Sequence, residues 1–248
     1  PWPYEEKYHP TNWVASRTID FLRRRDPRQP FFLMASFVRP HAPYDAPQCY
    51  FDLYKDKPLR PPVHGDWDDT KMLKKRGMVF NSCTGPSDPE LIRQQQIGYY
   101  ACITHVDHQI GRIIQALIEH RLLDNTVILF TSDHGEMLSD HGWCRKSLPY
   151  NGSAHIPMFI SGPERFIGPR GRVEDSLVEL RDVMPTLLDL AGAPIPEHLD
   201  GKSMLHPIDR EYLHGEHTFS FNHWSSQFIV TKTDKFVWLN ERNEEQYF

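Results

Sequence analysis

A carboxylate, an imidazole and a glycine stand in a row at Asp133-His134-Gly135, and an ammonium follows at Lys146. Directly before them, Val127 to Thr131 is a run of five strand-forming residues. Ligands of open α/β sheets gather just beyond the carboxyl ends of strands. An Asp and a His at that point can hold a metal, and Gly135 permits a sharp exit from the strand. Lys146 adds a mobile cation, and the set suits an anionic ester bound against a metal. An ordinary turn is the competing reading, because Asp and Gly commonly follow strands.

His41 lies in Arg39-Pro-His-Ala-Pro-Tyr44, after the apolar run Pro30 to Phe37 that reads as a second buried strand. A histidine beyond a strand end can donate to an anionic oxygen or protonate a leaving group. Alternatively, Pro40 and Pro43 stiffen an exposed loop that happens to carry it. Lys146, in Trp143-Cys-Arg-Lys-Ser147, either offsets charge that builds on an anion or forms a solvated pair with Arg145. The chain has 14 histidines. His105 and His108 share a helix face without a supporting carboxylate pattern, which disfavours a metal there. His141 repeats the Asp-His-Gly pattern and reads either as support for the first copy or as loop. His214, His217, His223 and Trp224, with Phe219 and Phe221, are candidate substrate contacts that turns or a small core explain nearly as well.

The elements that must position these residues alternate between helix and strand. The spacing predicts a helix from an N-cap at Thr11 to Arg25 and a long one from Ser87-Asp-Pro-Glu90 to about His120. Arg39 to Pro86 is a proline-rich loop region, and loops of that length are often functional. Short strands are expected at Pro157–Ile160 and Ser176–Leu180, then a helix from Arg181 to Ala191 closed by Gly192. Beyond Pro194 the pattern turns to antiparallel strands at Tyr212–His214, Gln227–Thr231 and Lys235–Leu239, the last two joined by a turn at Thr233-Asp234. This order implies an α/β sandwich with a small terminal sheet. Residues 1–193 form the α/β part and 194–248 a β-rich subdomain.

Composition bounds the rest. The 248 residues suffice for one large domain with an appendage, and 39% hydrophobic content is ample for a core. With 28 basic against 33 acidic residues, the net charge of -5 argues against general nucleic-acid binding. No apolar run approaches the ~18 residues of a membrane span. Four cysteines, at 49, 83, 102 and 144, show no zinc-type spacing and fit either free thiols or one or two disulfides. The first and last residues, Pro1 and Phe248, read as cuts through a longer protein.

In combination these motifs resemble the type I sulfatases of the alkaline-phosphatase-like superfamily. The matching runs are Arg39 to Tyr44, Asp124 to Glu136, Lys146, Ile156-Pro-Met-Phe-Ile-Ser-Gly-Pro163, Asp182-Val-Met-Pro-Thr-Leu-Leu-Asp-Leu-Ala-Gly192 and Leu199-Asp-Gly-Lys-Ser203. The resemblance implies a mixed sheet sandwiched by helices, with a small C-terminal antiparallel sheet. It implies that Asp133 and His134 are metal ligands, that Lys146 bridges sulfate oxygens, and that His41 binds the sulfate or assists the leaving oxygen. The metal implied is calcium, with manganese or magnesium as alternatives. From ligand chemistry alone, an imidazole favours transition metals or zinc over calcium.

The family's nucleophile is a formylglycine made from Cys or Ser in Cys/Ser-x-Pro-x-Arg, upstream of everything matched here. One serine has that form, Ser161-Gly-Pro-Glu-Arg165. It follows a strand as an ordinary exit turn and comes after Asp133, so it is rejected as the nucleophile. The expectation is therefore a sulfuric ester hydrolase acting on sulfated carbohydrate or aryl sulfate, whose nucleophile lies upstream, so that this chain alone is inactive. A formylglycine-generating or anaerobic maturase is the implied partner, and export to a periplasmic, extracellular or lysosomal compartment is implied by likeness. The rival readings are a phosphonate monoester hydrolase or phosphodiesterase of the same superfamily, a non-catalytic module that binds an anionic sugar, and a plain structural domain.

Overall fold

The structure, a computed structural model, describes residues 1–68, 78–79, 82–86, 88–218, 225–240 and 243–248, without the side chains of 78–79 and 82–84. Two compact units emerge. One comprises residues 1–77, 84–126 and 138–143, the other 78–83, 127–137 and 144–248.

The first unit is helical. Helix α1 (Pro10–Arg24) and the short α2 (Gln48–Asp52) both pack on the long α3 (Pro89–Glu119). Their starts follow from chemistry at the first turn. Pro10 and Pro89 occupy early positions where no amide hydrogen is required. The Asp88 carboxylate caps α3 by accepting from the Glu90 amide at 2.8 Å. The cap of α1 differs from expectation. The His9 imidazole, not Thr11, does the capping and accepts from the Thr11 amide at 3.1 Å. Histidine is an uncommon cap, so sequence patterns favour the threonine.

An apolar cluster of Ala46, Tyr50, Ala101 and Cys102, flanked by Tyr44 and Phe51, joins α2 to α3. Beside it runs a polar layer. The buried His105 lies 2.7 Å from Asn12 Oδ1 through Nε2. Glu6 Oε1 accepts from Tyr50 at 3.2 Å and from Asn12 at 3.3 Å. Burial pushes His105 down to about 4 and the Tyr50 hydroxyl up to about 12. This polar layer gathers around one carboxylate, and His105 Nδ1 is buried in it without a hydrogen-bond partner among the described residues.

The second unit carries the strands. Strand β3 (Ile128–Thr131) pairs antiparallel with β5 (Met158–Ser161), in register Thr131↔Met158, with Phe130 stacked on Phe159 at 4.8 Å. Met78–Val79 (β1) pairs antiparallel with Ser82–Thr84 (β2), and Trp143–Arg145 (β4) completes that three-stranded sheet. The terminal sheet is a meander of β6 (Leu213–Thr218), β7 (Ser225–Val230), β8 (Lys235–Leu239) and β9 (Glu244–Tyr247). Its turn between β7 and β8 lies where expected, closed by Thr231 N–H to Asp234 C=O at 2.9 Å. Strand β9 was not expected, because its polar residues lack the alternation that marks a strand.

Two expected strands are absent. Residues 30–37 and 176–179 are not paired into any strand among the described residues. Phe32 and Met34 are 74% and 77% exposed, so the segment has strand composition without a hydrogen-bonded neighbour to make a strand. The helix expected at 181–191 is a 3-10 turn, Leu180–Asp182, followed by α-helix Val183–Leu190, and Gly192 closes it at φ 66°.

Asp182 explains two of the sequence runs at once. Its fully buried carboxylate accepts both arms of Arg210 at 2.8 Å, the Lys202 amide at 2.8 Å and the Glu179 amide at 2.9 Å. Ser203 donates to Asp189 at 2.6 Å. A Cβ on Gly201 would stand 1.9 Å from the Arg181 carbonyl oxygen, so only glycine permits this approach. The runs at 182–192 and 199–203 are thus one packed substructure. Cys49 and Cys102 are free thiols, and the Cys83 side chain lies outside the described residues.

Candidate active site

Within the second unit, β3 delivers the chain to Asp133. The Asp133 side chain is 84% exposed, and its Oδ1 accepts from the His134 amide at 3.0 Å. His134 Nε2 lies 3.6 Å from Asp133 Oδ2, while its Nδ1 lies 2.8 Å from the Gly135 carbonyl oxygen. A carbonyl only accepts, so Nδ1 carries a proton and Nε2 is the nitrogen turned to Asp133. The Nδ1–carbonyl contact is the kind that orients the ring of a metal-ligating histidine, and Nε2 stands beside a carboxylate oxygen.

The exit from this pair is tightly packed. Gly135 N–H donates to the Ser153 carbonyl at 2.8 Å, and a Cβ on Gly135 would stand 2.2 Å from the Gly152 carbonyl oxygen. Glycine is required by close approach, not by positive φ. Next, the Glu136 carboxylate accepts from the Arg145 backbone amide, and Met137 N–H donates to the Arg145 carbonyl at 2.9 Å. Met137 is fully buried. Lys146 follows, half-buried, between Arg145 at φ 69° and Ser147 at φ 72°. Two non-glycine residues in the left-handed region are costly and persist only where surrounding contacts dictate them. Leu148 N–H to Ser153 Oγ, at 3.3 Å, closes the loop back on itself. The structure so brings the Lys146 segment to the Asp133–Glu136 run through Glu136, a residue to which the sequence assigned no role. Its only signal was its place three residues after Asp133.

His41 belongs to the first unit. Its amide donates to Val38 C=O at 3.1 Å, and Nδ1 lies 2.7 Å from the Ala42 carbonyl oxygen. Cis peptides at Arg39-Pro40 and Ala42-Pro43 flank it. The Arg39 guanidinium grips Asp45 with both arms, at 2.5 and 2.6 Å, and His9 Nε2 stands 3.3 Å from the same carboxylate. Burial works against the Asp45 charge, but the Arg39 fork outweighs it and holds the carboxyl below its ordinary value. Arg39 is therefore spent on shaping the loop that presents His41.

The other histidines divide by environment. His141, also in the first unit, stacks on Trp67 at 4.6 Å and reaches Asp68 Oδ1 at 3.1 Å. His214 and His217 lie within β6, on opposite faces, not in a turn. Phe219, Phe221, His223 and Trp224 lie outside the described residues. Among the described residues no group of three or more His, Cys, Asp or Glu is arranged to hold a metal. Asp133 and His134 fit part of a coordination shell, not the whole of one.

Comparison with known proteins identifies the family. The family model described as Sulfatase matches residues 1–193. An arylsulfatase of Clostridium perfringens is 51% identical over 255 residues, which cover 100% of this chain and 53% of that protein. The multifunctional alkaline phosphatase superfamily protein PehA of Trinickia caryophylli is 33% identical over 217 residues, 81% of this chain and 41% of that protein. The solved phosphonate monoester hydrolase of Silicibacter pomeroyi superposes with a TM-score of 0.82 at 26% identity, covering 99% of this chain and 54% of that one. The chain thus spans about half the length of the relatives it matches.

Proposed function

Because the chain belongs to the sulfatase family, we propose that it supplies the metal- and sulfate-facing half of a sulfuric ester hydrolase acting on an aryl or carbohydrate sulfate. The observation that supports the reading is the Glu136–Arg145 tie, which holds the residue before Lys146 to the run that follows Asp133-His134. On this reading, Asp133 and His134 hold one side of a divalent ion, most simply calcium, with manganese or magnesium as substitutes. Such an ion, when bound, withdraws electron density from the sulfate ester. Lys146 donates hydrogen bonds to the sulfate oxygens and offsets their charge. His41, when protonated, gives its proton to the departing ester oxygen.

The nucleophile is the formylglycine aldehyde hydrate, contributed from outside residues 1–248 and installed by a maturation enzyme. Within the sequence, Ser161 alone has the nucleophile's motif, and it is the last residue of β5. The architecture on this reading is a mixed sheet between helices, with residues 1–193 as the catalytic part and 194–248 as its β-rich appendage. Export from the cytoplasm accompanies it.

A phosphonate or phosphate ester is the competing substrate, favoured by the 26% identical phosphonate monoester hydrolase. The experiment is to compare sulfate release from 4-nitrophenyl sulfate with hydrolysis of phenyl phosphonate esters by the longer protein, and by residues 1–248 alone. Faster turnover of the phosphonate would reassign the substrate. Sulfate release by residues 1–248 alone would refute the outside nucleophile.

A further inference from the structure

Lys235 opens β8, and among the described residues its ammonium meets an amide and an aromatic ring rather than a carboxylate. Nζ donates to Asn151 Oδ1 at 3.2 Å and lies 5.1 Å from the centre of the Phe228 ring. The Phe228 ring itself lies against Gly215, where a Cβ would approach to 2.1 Å. The acid next in sequence, Asp234, is committed elsewhere, accepting from Tyr247 at 2.7 Å and from Thr233. Among the described residues no ion pair includes Lys235. Burial pushes its ammonium down to about 8, with no other group contributing.

A half-buried cation resting on an amide and an aromatic face, without a counter-ion, lowers stability unless something else uses it. Asn151 turns its oxygen to the lysine, which directs its NH2 group, a donor, outward. An ammonium and an amide so lie side by side, each with donors to offer. Asn151 immediately precedes Gly152, whose carbonyl oxygen meets Gly135. At about 3.8 Å per residue step, this path places the ammonium no more than roughly 24 Å from Asp133, within reach of an oligosaccharide.

We propose that Lys235, with Asn151 beside it, forms a second anion subsite that receives a sulfate or carboxylate of the substrate other than the ester being cleaved. The proposal rests on the sulfatase reading and narrows it to substrates with at least two anionic groups. Charge-assisted hydrogen bonds from Lys235 hold the second anion, and Asn151 orients it.

The test compares the full protein with its Lys235→Met and Asn151→Ala variants on three substrates: 4-nitrophenyl sulfate, a disulfated glucosamine and a sulfated uronic acid. Lys235→Met should raise KM roughly 10- to 100-fold for one or both sugars, leave kcat within twofold, and leave the aryl sulfate unchanged. A change confined to one sugar identifies the second anion as sulfate or carboxylate. The thermal midpoint at pH 7 should stay constant or rise, because an unpaired buried charge is removed. A falling midpoint with equal losses on all substrates would make Lys235 structural and overturn the subsite, as would unchanged KM on both sugars. If the unaltered protein cleaves none of the three, the sulfatase reading fails. Calorimetric titration with the same sugars then decides the subsite: weaker binding to Lys235→Met supports it, and equal binding refutes it.

Discussion

The Glu136 carboxylate accepts a hydrogen bond from the Arg145 amide, so the segment after β3 and the segment bearing Lys146 are held as one piece. Glu136 acts through this contact and is a positioning residue. Glu136→Ala should lower kcat by about 10²-fold or more, the scale of a misplaced catalytic group. Glu136→Gln keeps an acceptor oxygen and should recover most of the loss. Full turnover in the alanine variant would show that Lys146 needs no such anchor.

Asp133→Ala and Lys146→Ala should each reduce sulfate release by orders of magnitude while leaving the circular dichroism spectrum intact. Asp133 is largely exposed and packs against little, so its loss removes chemistry without opening a cavity. Removal of divalent ions with a chelator should abolish turnover, and calcium should restore it. Undiminished release after chelation would exclude the metal role of Asp133 and His134.

Gly135→Ala places a methyl group against the Gly152 carbonyl oxygen. The overlap forces one backbone to shift, and the cost should be about 1–3 kcal/mol. Urea titration of the variant and the parent measures it. An unchanged midpoint would mean that the two loops separate freely.

Acid should weaken the fold in two stages of known sign. His105 is held near 4, below the ordinary 6.5. The unfolded chain therefore takes the proton first, and stability present above 6.5 is lost as the pH falls towards 4. The size is at most about 3 kcal/mol. Asp182 lies below its ordinary 3.8: burial opposes its charge, but the Arg210 fork wins. Its contribution survives down to that value and fails only at lower pH. His105→Gln should flatten the upper stage in a pH series of unfolding curves. Asp182→Asn leaves Arg210 without its partner and should cost about 3–5 kcal/mol at pH 7. Identical slopes between pH 6.5 and 4 for parent and His105→Gln would exclude the histidine.

Legibility from sequence followed the range of the interactions involved. Helices α1 and α3 were readable because their punctuation is local: proline at an early position, an aspartate cap and apolar spacing along the run. The hairpin at Thr233-Asp234 was readable for the same reason. Residues 30–37 misled because composition reports strand preference and not the presence of a neighbour. Strand β9 was missed because its register comes from β8, not from its own residues. At the site, Asp133, His134 and Lys146 stood out by chemical type. The role of Glu136 depends on a contact across nine positions, and the setting of Lys235 on Asn151 and Phe228 from other elements, which no local pattern encodes.

Arg145 and Ser147, wound into the left-handed region on either side of Lys146, bear on any attempt to make this protein tougher. Glycine at either place would relieve the backbone and pass a heat-tolerance screen. It would also let the lysine wander. A laboratory selection that rewards survival alone would therefore drift towards robust but inert variants, beginning at the two positions that look safest to change.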